Sequence, residues 1–355
     1  MRCSRRSPGV ASDGPQPFCD SRIAFAKFHA PPTALNLSRA MKNRREFIQA
    51  GFALGAAFSL ADLGGLFAAE TSATDDASPI PAPGAGKSVL VAVRDGDRVA
   101  MLDRALASLG GIGVFVKRGQ TVLIKPNIGW DAPPERGANT HPDLVAHLVK
   151  LCLGAGAKSV SIFDKTCDQW QRTYANSGIE KAAKEAGAIV INGNDPNAYR
   201  EVAIPGGLEL KTARVHSLVL DSDVFFNVPV LKHHSGALMT ACMKNLMGVV
   251  WDRGFYHRND LHQTIADFLT LRQPTLNILD AYHPMVRNGP RGTSVEDLVE
   301  MRSLLASKDI VAIDAAAAKM LGHQPADVRH VKLAAGMKLG TINLENVDIR
   351  RFKLA

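Results

Sequence analysis

The chain has 355 residues, of which 46% are hydrophobic and 21% are charged. This composition excludes an intrinsically disordered chain and a small disulfide-stabilised scaffold. The formal net charge of +8 is concentrated near the amino terminus, where residues 1–69 carry nine Lys and Arg against four Asp and Glu. Because the remainder is nearly balanced and only 6% of residues are aromatic, no nucleic-acid-binding function is expected.

The amino-terminal region has the pattern of an export signal. Arg44 and Arg45 precede a weakly hydrophobic run from Gly51 to Ala69, which is rich in Gly and Ala and contains Asp62. Such a run is too polar for a membrane-spanning helix, whereas a basic start and a short apolar run are typical of a signal peptide. The arginine pair resembles the twin-arginine motif. We therefore predict a twin-arginine signal peptide over 41–73; the alternative is an amphipathic surface helix.

Two further segments flank this signal. Residues 1–40 are rich in Pro and Ser and show no periodicity, so we expect a non-native or disordered leader, with translation beginning at Met41. Residues 74–87 are expected to form a polar linker. Together these features predict a periplasmic protein that is handled by the twin-arginine export machinery.

From residue 88 onward, apolar strand-like runs alternate with segments of helical periodicity. In chain order, the pattern predicts a strand at Val89–Val93, a helix at Asp97–Leu109, a strand at Thr121–Lys125, a helix at His141–Leu153 capped by Thr140, a strand at Ser159–Phe163, a helix at Thr173–Ala186, a strand at Ala188–Ile191, short strands within 198–219, a strand at Val224–Val228, helices at 237–250 and 260–271, and strands at Leu276–Leu279 and Ile310–Ile313, the last leading into a helix at Ala315–Leu321.

Short apolar strands that alternate with helices indicate an α/β fold. We predict a single domain over 88–355, with a mostly parallel sheet covered by helices on both faces. The strands within 198–219 are expected to form a small antiparallel insertion.

Polar residues come at the carboxyl ends of four apolar runs that are predicted as strands, namely TVLI, SIF, VFFNVPVL and LNIL. In an open parallel sheet, ligands bind beyond the carboxyl ends of the strands, so these residues are expected to converge at one edge of the sheet. The four groups are Lys125-Pro126-Asn127, Asp164-Lys165-Thr166, Lys232-His233-His234 and Asp280-Ala281-Tyr282-His283.

The residue types in these groups suit a small anionic ligand and acid–base chemistry. Cationic and amide side chains bind carboxylates or phosphates, and histidine transfers protons near neutral pH. We predict that the ligand is held by Lys125, Asn127, Lys232, Lys244 and Asn245. We predict that His141 or His233 transfers the proton and that Asp280 or Asp314 orients it.

A metal site is a further candidate. Five histidines, including His233 and His262, fall between residues 233 and 283, and histidine is the commonest metal-binding side chain. The candidate ligands of a divalent metal are His233, His262 and Asp280, although their spacing matches no known metal motif. The cysteines beyond the leader are only Cys152, Cys167 and Cys242, too few for a four-cysteine iron–sulfur cluster.

Six short motifs in order resemble the domain-of-unknown-function 362 family over about residues 88–350. They are Lys125-Pro126-Asn127, Thr140-His141-Pro142, Leu231-Lys232-His233, Lys244-Asn245-Leu246-Met247-Gly248, Gly289-Pro290-Arg291-Gly292 and Asp309-Ile310-Val311-Ala312-Ile313-Asp314. The resemblance implies no settled activity, and the ferredoxin-type module that many members carry is not found in this sequence. The stretch from Asp223 to Gly248 also resembles part of the nickel-pincer lactate racemases.

Two functions remain open at this stage. The first is an exported enzyme or redox-associated protein that acts on a small anion, with a divalent metal as an optional addition. The alternative is a non-catalytic periplasmic protein that binds a ligand or a metal with the same residues. A homo-oligomer and a redox partner are both compatible with the sequence.

Overall fold

The computed structural model describes residues 87–355. The leader, the signal peptide and nearly all of the linker predicted above lie outside these described residues. Within them, the strands are β1 (Ser88–Arg94), β2 (Thr121–Pro126), β3 (Ser159–Ile162), β4 (Ile189–Val190), β5 (Tyr199–Ala203), β6 (Thr212–His216), β7 (Val224–Val228), β8 (Val230–His234), β9 (Leu238–Thr240), β10 (Leu276–Met285), β11 (Ser303–Ser307) and β12 (Val347–Lys353).

The main sheet is mixed but mostly parallel. Its strands follow the order β12-β1-β11-β10-β7-β2-β3-β4, with β8 attached to β10 and β9 attached to β8. β11 runs antiparallel to both of its neighbours, whereas the pairs β10–β7, β7–β2, β2–β3 and β3–β4 are parallel. β5 and β6 form a separate two-stranded antiparallel sheet. The predicted α/β fold and its small antiparallel insertion are therefore confirmed.

Helices cover both faces of the main sheet. Residues of β1 and β2 point alternately to the two faces, as the pleat of a strand requires: Leu90 and Leu123 join one apolar cluster, and Val91 and Val122 join the other. The helices are α1 (Arg98–Ser108), α2 (Pro142–Gly154), α3 (Trp170–Asn176), α4 (Ile179–Glu185), α5 (Ser217–Asp221), α6 (Cys242–Asn245), α7 (Arg253–Arg258), α8 (Leu261–Phe268), α9 (Ile310–Met320) and α10 (Arg329–Gly336).

The predicted strand at Ile310–Ile313 is wrong. These residues form the first turn of α9, because the Asp309 carboxylate accepts hydrogen bonds from the backbone N–H groups of Val311 and Ala312 and so caps the helix. The adjacent strand is β11, whose residues are all buried. β12, which pairs with β1, was not predicted.

The predicted helix over 237–250 is also wrong over much of its length. Its first part is β9, which pairs with β8, and Leu238 adopts a positive φ of 61° that an α-helix does not allow. A single helical turn, α6, follows and continues as a 3₁₀ turn over Leu246–Val249. The predicted helix at Thr173–Ala186 is likewise divided into α3 and α4, because Gly178 has a φ of 72°.

The start of α2 differs in its cap. The sequence predicts Thr140 in that role, but the N-cap residue is His141, whose Nδ1 accepts a hydrogen bond from the backbone N–H of Asp143. Thr140 instead donates to the Val228 carbonyl and accepts from the Asn127 N–H. It thereby joins β7 to the loop after β2. Within residues 87–355, no helix is both long and apolar enough to cross a membrane.

Candidate functional site

A cavity of about 430 Å³ opens beyond the carboxyl ends of β2 and β3, against β8 and α6. Among residues 87–355, three cationic side chains line it, and the one carboxylate in its wall is already paired with a lysine. We call it the cationic cavity; its charged and titratable lining is formed by Lys232, Lys244, Arg253, His234, His257, Asp164 and Cys167.

Lys125 and Asp164 form a buried ion pair beside this cavity. The Lys125 Nζ lies 2.9 Å from Asp164 Oδ1 and also donates to the Pro126 carbonyl and to Asn245 Oδ1. Both side chains are nearly inaccessible to solvent. Burial lowers the pKa of Lys125, although the charge of Asp164 acts in the opposite direction. Lys125 was predicted to hold the ligand, but its nitrogen is occupied by the protein itself.

Gly248 makes this pair possible. A Cβ atom at this position would lie 1.9 Å from Asp164 Oδ1 and 2.9 Å from both Cε and Nζ of Lys125. Any side chain there would overlap the ion pair, so the backbone of the 3₁₀ turn can approach the pair only because residue 248 is glycine.

Lys232 lies in the wall of the cavity with its side chain buried. Its Nζ donates hydrogen bonds to Asn127 Oδ1 at 2.8 Å and to the Ala138 carbonyl at 2.5 Å. Burial is the main cause that lowers its pKa to about 7, and the nearby charges of Lys244 and Lys125 add to the effect. A lysine with such a pKa exchanges its proton near neutral pH, as a general acid or base must.

A series of hydrogen-bonded asparagines runs from Lys232 across the sheet. Asn127 donates to Asn245 at 3.1 Å, Asn245 donates to Asn227 at 2.8 Å, and Asn227 donates to Asn277 at 2.9 Å. Asn277 donates in turn to the Ser307 carbonyl. We call Asn127, Asn245, Asn227 and Asn277 the asparagine chain. Because each amide in it is held at both ends, the chain fixes the position of Lys232.

Lys244 and Arg253 supply the other two positive charges. Lys244 has no hydrogen-bond or ion-pair partner among residues 87–355, and burial lowers its pKa to about 8. Arg253 donates to the Thr166 carbonyl at 2.5 Å and contacts Cys167 Sγ at 3.3 Å. Cys167 is an exposed thiol at the cavity, whereas Cys152 and Cys242 are buried, and all three are free.

Of the two adjacent histidines, the sequence predicts that His233 acts at the ligand site, but the structure places His234 there. His234, not His233, lines the cationic cavity. Its Nδ1 accepts a hydrogen bond from the Gly236 N–H, so its neutral ring carries the proton on Nε2. Burial, followed by the charges of Lys244 and Lys232, lowers its pKa to about 3. His233 Nδ1 accepts from the Gly289 N–H instead.

His141 and Asp280 lie at a second cavity of about 410 Å³, together with Arg98 and His283. Asp280 lies within β10, which continues to Met285, six residues past the predicted strand end at Leu279. Its carboxylate pairs with Arg98 Nε at 3.0 Å and accepts the backbone N–H groups of His141 and Tyr282. Burial lowers the pKa of His141, and the charge of Arg98 adds to the effect.

Asp314 is fully buried under the start of α6. Its two carboxylate oxygens accept the backbone N–H groups of Cys242 and Met243. Burial raises the pKa of Asp314 to about 7, although these two hydrogen bonds act in the opposite direction. Asp314 therefore holds the helical turn that carries Lys244 and Asn245, and it does not line the cationic cavity.

The three candidate metal ligands are not gathered in one place. His233 contacts the loop at Gly289, Asp280 pairs with Arg98, and His262 lies against His330, with 3.4 Å between their Nδ1 atoms. In the part of the chain that the structure describes, no three His, Cys, Asp or Glu side chains are grouped so that they could hold a metal ion.

Sequence reasoning missed Asn227 and Asn277, the two inner members of the asparagine chain. Each is a polar residue inside an apolar strand, in the runs Val224–Val228 and Leu276–Leu279, and both are fully buried. Because a buried amide must be hydrogen-bonded, an asparagine inside an apolar strand indicates a buried hydrogen-bond network, and this pattern could have identified both residues. Cys167 and Arg253 were also missed as cavity residues, and no motif marked them.

The fold and the site define an α/β domain with a cationic cavity at the carboxyl edge of its sheet. Residues 122–319 match the family described as Domain of unknown function (DUF362), and the chain belongs to this family. It is similar to the thylakoid-associated protein sll1697 of Synechocystis sp., with 27% identity over 259 residues that cover 69% of this chain and 76% of that protein.

Among solved structures, the chain is similar to the lactate racemase apoprotein from Thermoanaerobacterium thermosaccharolyticum. The sequence identity is 11% and the TM-score is 0.39. The match covers 71% of this chain and 57% of the racemase chain, so this chain spans little more than half the length of that protein.

Proposed function

We propose that this chain is an enzyme that binds a small dianion in the cationic cavity and transfers a proton to or from it through Lys232. One observation carries the proposal. Lys232, Lys244 and Arg253 line one cavity, while the only carboxylate that the described part of the chain places in its wall, that of Asp164, is neutralised by Lys125. A cavity with this excess of positive charge is stabilised when an anion enters it.

The three cations have different roles in this proposal. Lys244 has no partner in the described residues, so a ligand oxygen can become its hydrogen-bond acceptor. Arg253 presents a second cation, and an arginine and a lysine together suit a carboxylate, sulfate or phosphate group. Lys232 is held by Asn127 and the Ala138 carbonyl, which leaves one of its three ammonium N–H groups for the ligand.

Proton transfer follows from the state of Lys232. With a pKa of about 7, its neutral amine can accept a proton from the ligand and its ammonium form can return one. An entering anion favours the ammonium form and raises the pKa. Ligand binding above neutral pH is therefore expected to take up a proton from solution.

Calorimetric titration with sulfate and with malonate tests this proposal, because both remain dianions between about pH 6.5 and pH 9. We expect binding to be tightest near pH 6.5 and to weaken as the pH rises through about 7 and about 8, where Lys232 and Lys244 lose their protons. Lys244→Met should weaken binding by about ten- to a hundredfold, since a charge-assisted hydrogen bond contributes about 1.5–3 kcal/mol.

The buffer dependence of the heat at about pH 8 measures proton uptake. Wild-type protein should take up protons on binding, and Lys232→Met should take up fewer. Lys319→Met is the matched control, because Lys319 lies on α9 and does not line the cavity. The proposal is wrong if neither dianion binds, or if both bind equally well in wild-type and Lys244→Met protein.

We also propose that the chain is exported to the periplasm by the twin-arginine route. The support is the pair Arg44–Arg45 ahead of the Gly- and Ala-rich run that ends at Ala69. We expect replacement of both arginines by lysine to retain the protein in the cytoplasm, because the route reads the paired arginines rather than positive charge alone. Cell fractionation measures this, and normal periplasmic appearance of the double variant would contradict the proposal.

A further inference from the structure

The second cavity has a different charge pattern from the cationic cavity. Arg98 and Asp280 form an ion pair in its wall, so their charges cancel. Glu135 and Glu300 also line it. Glu300 Oε1 lies 3.9 Å from His283 Nε2. Burial lowers the pKa of His283, and the charge of Arg98 adds to the effect, so this histidine is neutral near pH 7. The cavity therefore carries excess negative charge near neutral pH.

Arg98 nevertheless offers donors to this cavity. Its Nε binds both oxygens of Asp280, at 3.2 and 3.0 Å, and its guanidinium lies over the Tyr282 ring at 4.2 Å. These two contacts fix the plane of the guanidinium. Its terminal nitrogens, Nη1 and Nη2, donate to no acceptor among residues 87–355. A guanidinium edge fixed in this way is suited to bind a carboxylate with two hydrogen bonds.

The carboxylate of Asp280 is already bound by groups of the protein. Besides Arg98, it accepts the backbone N–H groups of His141 and Tyr282, and it is almost completely buried. The charged groups of the described lining that are left for a ligand are thus the terminal nitrogens of Arg98 and the carboxylates of Glu135 and Glu300. These groups are complementary to a molecule that carries both a carboxylate and positive charge.

We propose that the second cavity is a binding site for a small zwitterion with excess positive charge, that is, a basic amino acid. Its carboxylate binds Arg98, and its ammonium groups face Glu135 and Glu300. A volume of about 410 Å³ is within the range of small-molecule sites. This proposal does not depend on the function proposed for the cationic cavity.

Titration of the full chain with L-lysine tests the site, with acetate as the probe that lacks positive charge. We expect L-lysine to bind and acetate to bind far more weakly. The double variant Glu135→Gln, Glu300→Gln should weaken L-lysine binding by about tenfold, as expected for the loss of two partly exposed ion pairs. Both positions are exposed, so folding should be unaffected.

Arg98→Lys tests the carboxylate end of the ligand. The variant keeps a positive charge for Asp280 but lacks the two terminal nitrogens, so we expect L-lysine binding to weaken by about tenfold or more while thermal unfolding changes little. Lys244→Met, in the other cavity, should leave L-lysine binding unchanged. The proposal is overturned if L-lysine does not bind at millimolar concentration, or if both the double Gln variant and Arg98→Lys bind it like wild type.

Discussion

Gly248→Ala is expected to abolish dianion binding by the cationic cavity and to lower the free energy of unfolding by about 3–5 kcal/mol. The added methyl carbon would lie 1.9 Å from Asp164 Oδ1 and 2.9 Å from Lys125 Nζ. Both partners are buried and are held by hydrogen bonds to the Pro126 carbonyl and the Ile128 N–H, so the methyl group forces the ion pair to separate. Urea unfolding measures the stability, and calorimetric titration with sulfate measures the site.

Gly236→Ala is the matched control for this substitution. A Cβ atom at position 236 would have no neighbour nearer than 3.5 Å, the His234 Cε1 atom, which is ordinary van der Waals contact, and its backbone N–H remains. We expect a change of less than about 1 kcal/mol in the free energy of unfolding for this control. If Gly248→Ala proves no more destabilising than Gly236→Ala, the ion pair does not require the close approach of the backbone.

Lys125→Met should destabilise the protein by about 3–5 kcal/mol, because it leaves the buried Asp164 carboxylate without its cation. Asp164 would retain the hydrogen bond that it accepts from the Ile128 N–H at 2.7 Å, which does not replace a full charge. The substitution also removes the donor to Asn245 Oδ1. Thermal and urea unfolding measure the loss.

Addition of Asp164→Asn to Lys125→Met tests whether the loss of stability comes from the unpaired charge or from the altered packing. The double variant has no buried charge at this place, so we expect it to recover most of the lost stability. Lys165→Met, at the next position, is the control: Lys165 is partly exposed and lies over the Trp251 ring, and its loss should have a much smaller effect. A double variant no more stable than Lys125→Met would show that the buried charge is not the cause.

The α/β class of the fold could be predicted from the hydrophobic periodicity of the sequence. The wrong predictions of secondary structure came from apolar runs whose pattern fits either a strand or a buried helix. Apolar runs such as Thr121–Lys125 and Val224–Val228 are short, each is followed by a proline, and both are strands. The run at Ile310–Ile313 is equally apolar, but it lies in a helix that is buried on all sides, where no alternation of polar and apolar residues distinguishes helix from strand. Tertiary burial thus removed the signal on which the prediction depended.

The candidate site could be predicted in part. Lys125, Asn127, Lys232, Lys244 and Asn245 are brought together by the hydrogen bonds of Lys125, the asparagine chain and the lining of the cationic cavity. The separate place of His141 and Asp280 could not be predicted. It depends on the length of β10 and on the segment 137–139, whose Ala138 carbonyl binds Lys232 while Gly137 and Asn139 line the second cavity. Long-range placement of this kind leaves no periodic pattern in the chain.

The asparagine chain has a consequence for the proton of Lys232. Every amide in it donates toward Asn277 and accepts from the side of Lys232, so the four amide dipoles point the same way and their negative end meets the ammonium group. Aligned dipoles of this kind reinforce one another in a low-dielectric interior. The asparagine chain therefore acts against the effect of burial on the pKa of Lys232 and favours the charged form of this lysine. Lys232 owes part of its proton affinity to amides that extend through the sheet as far as β10.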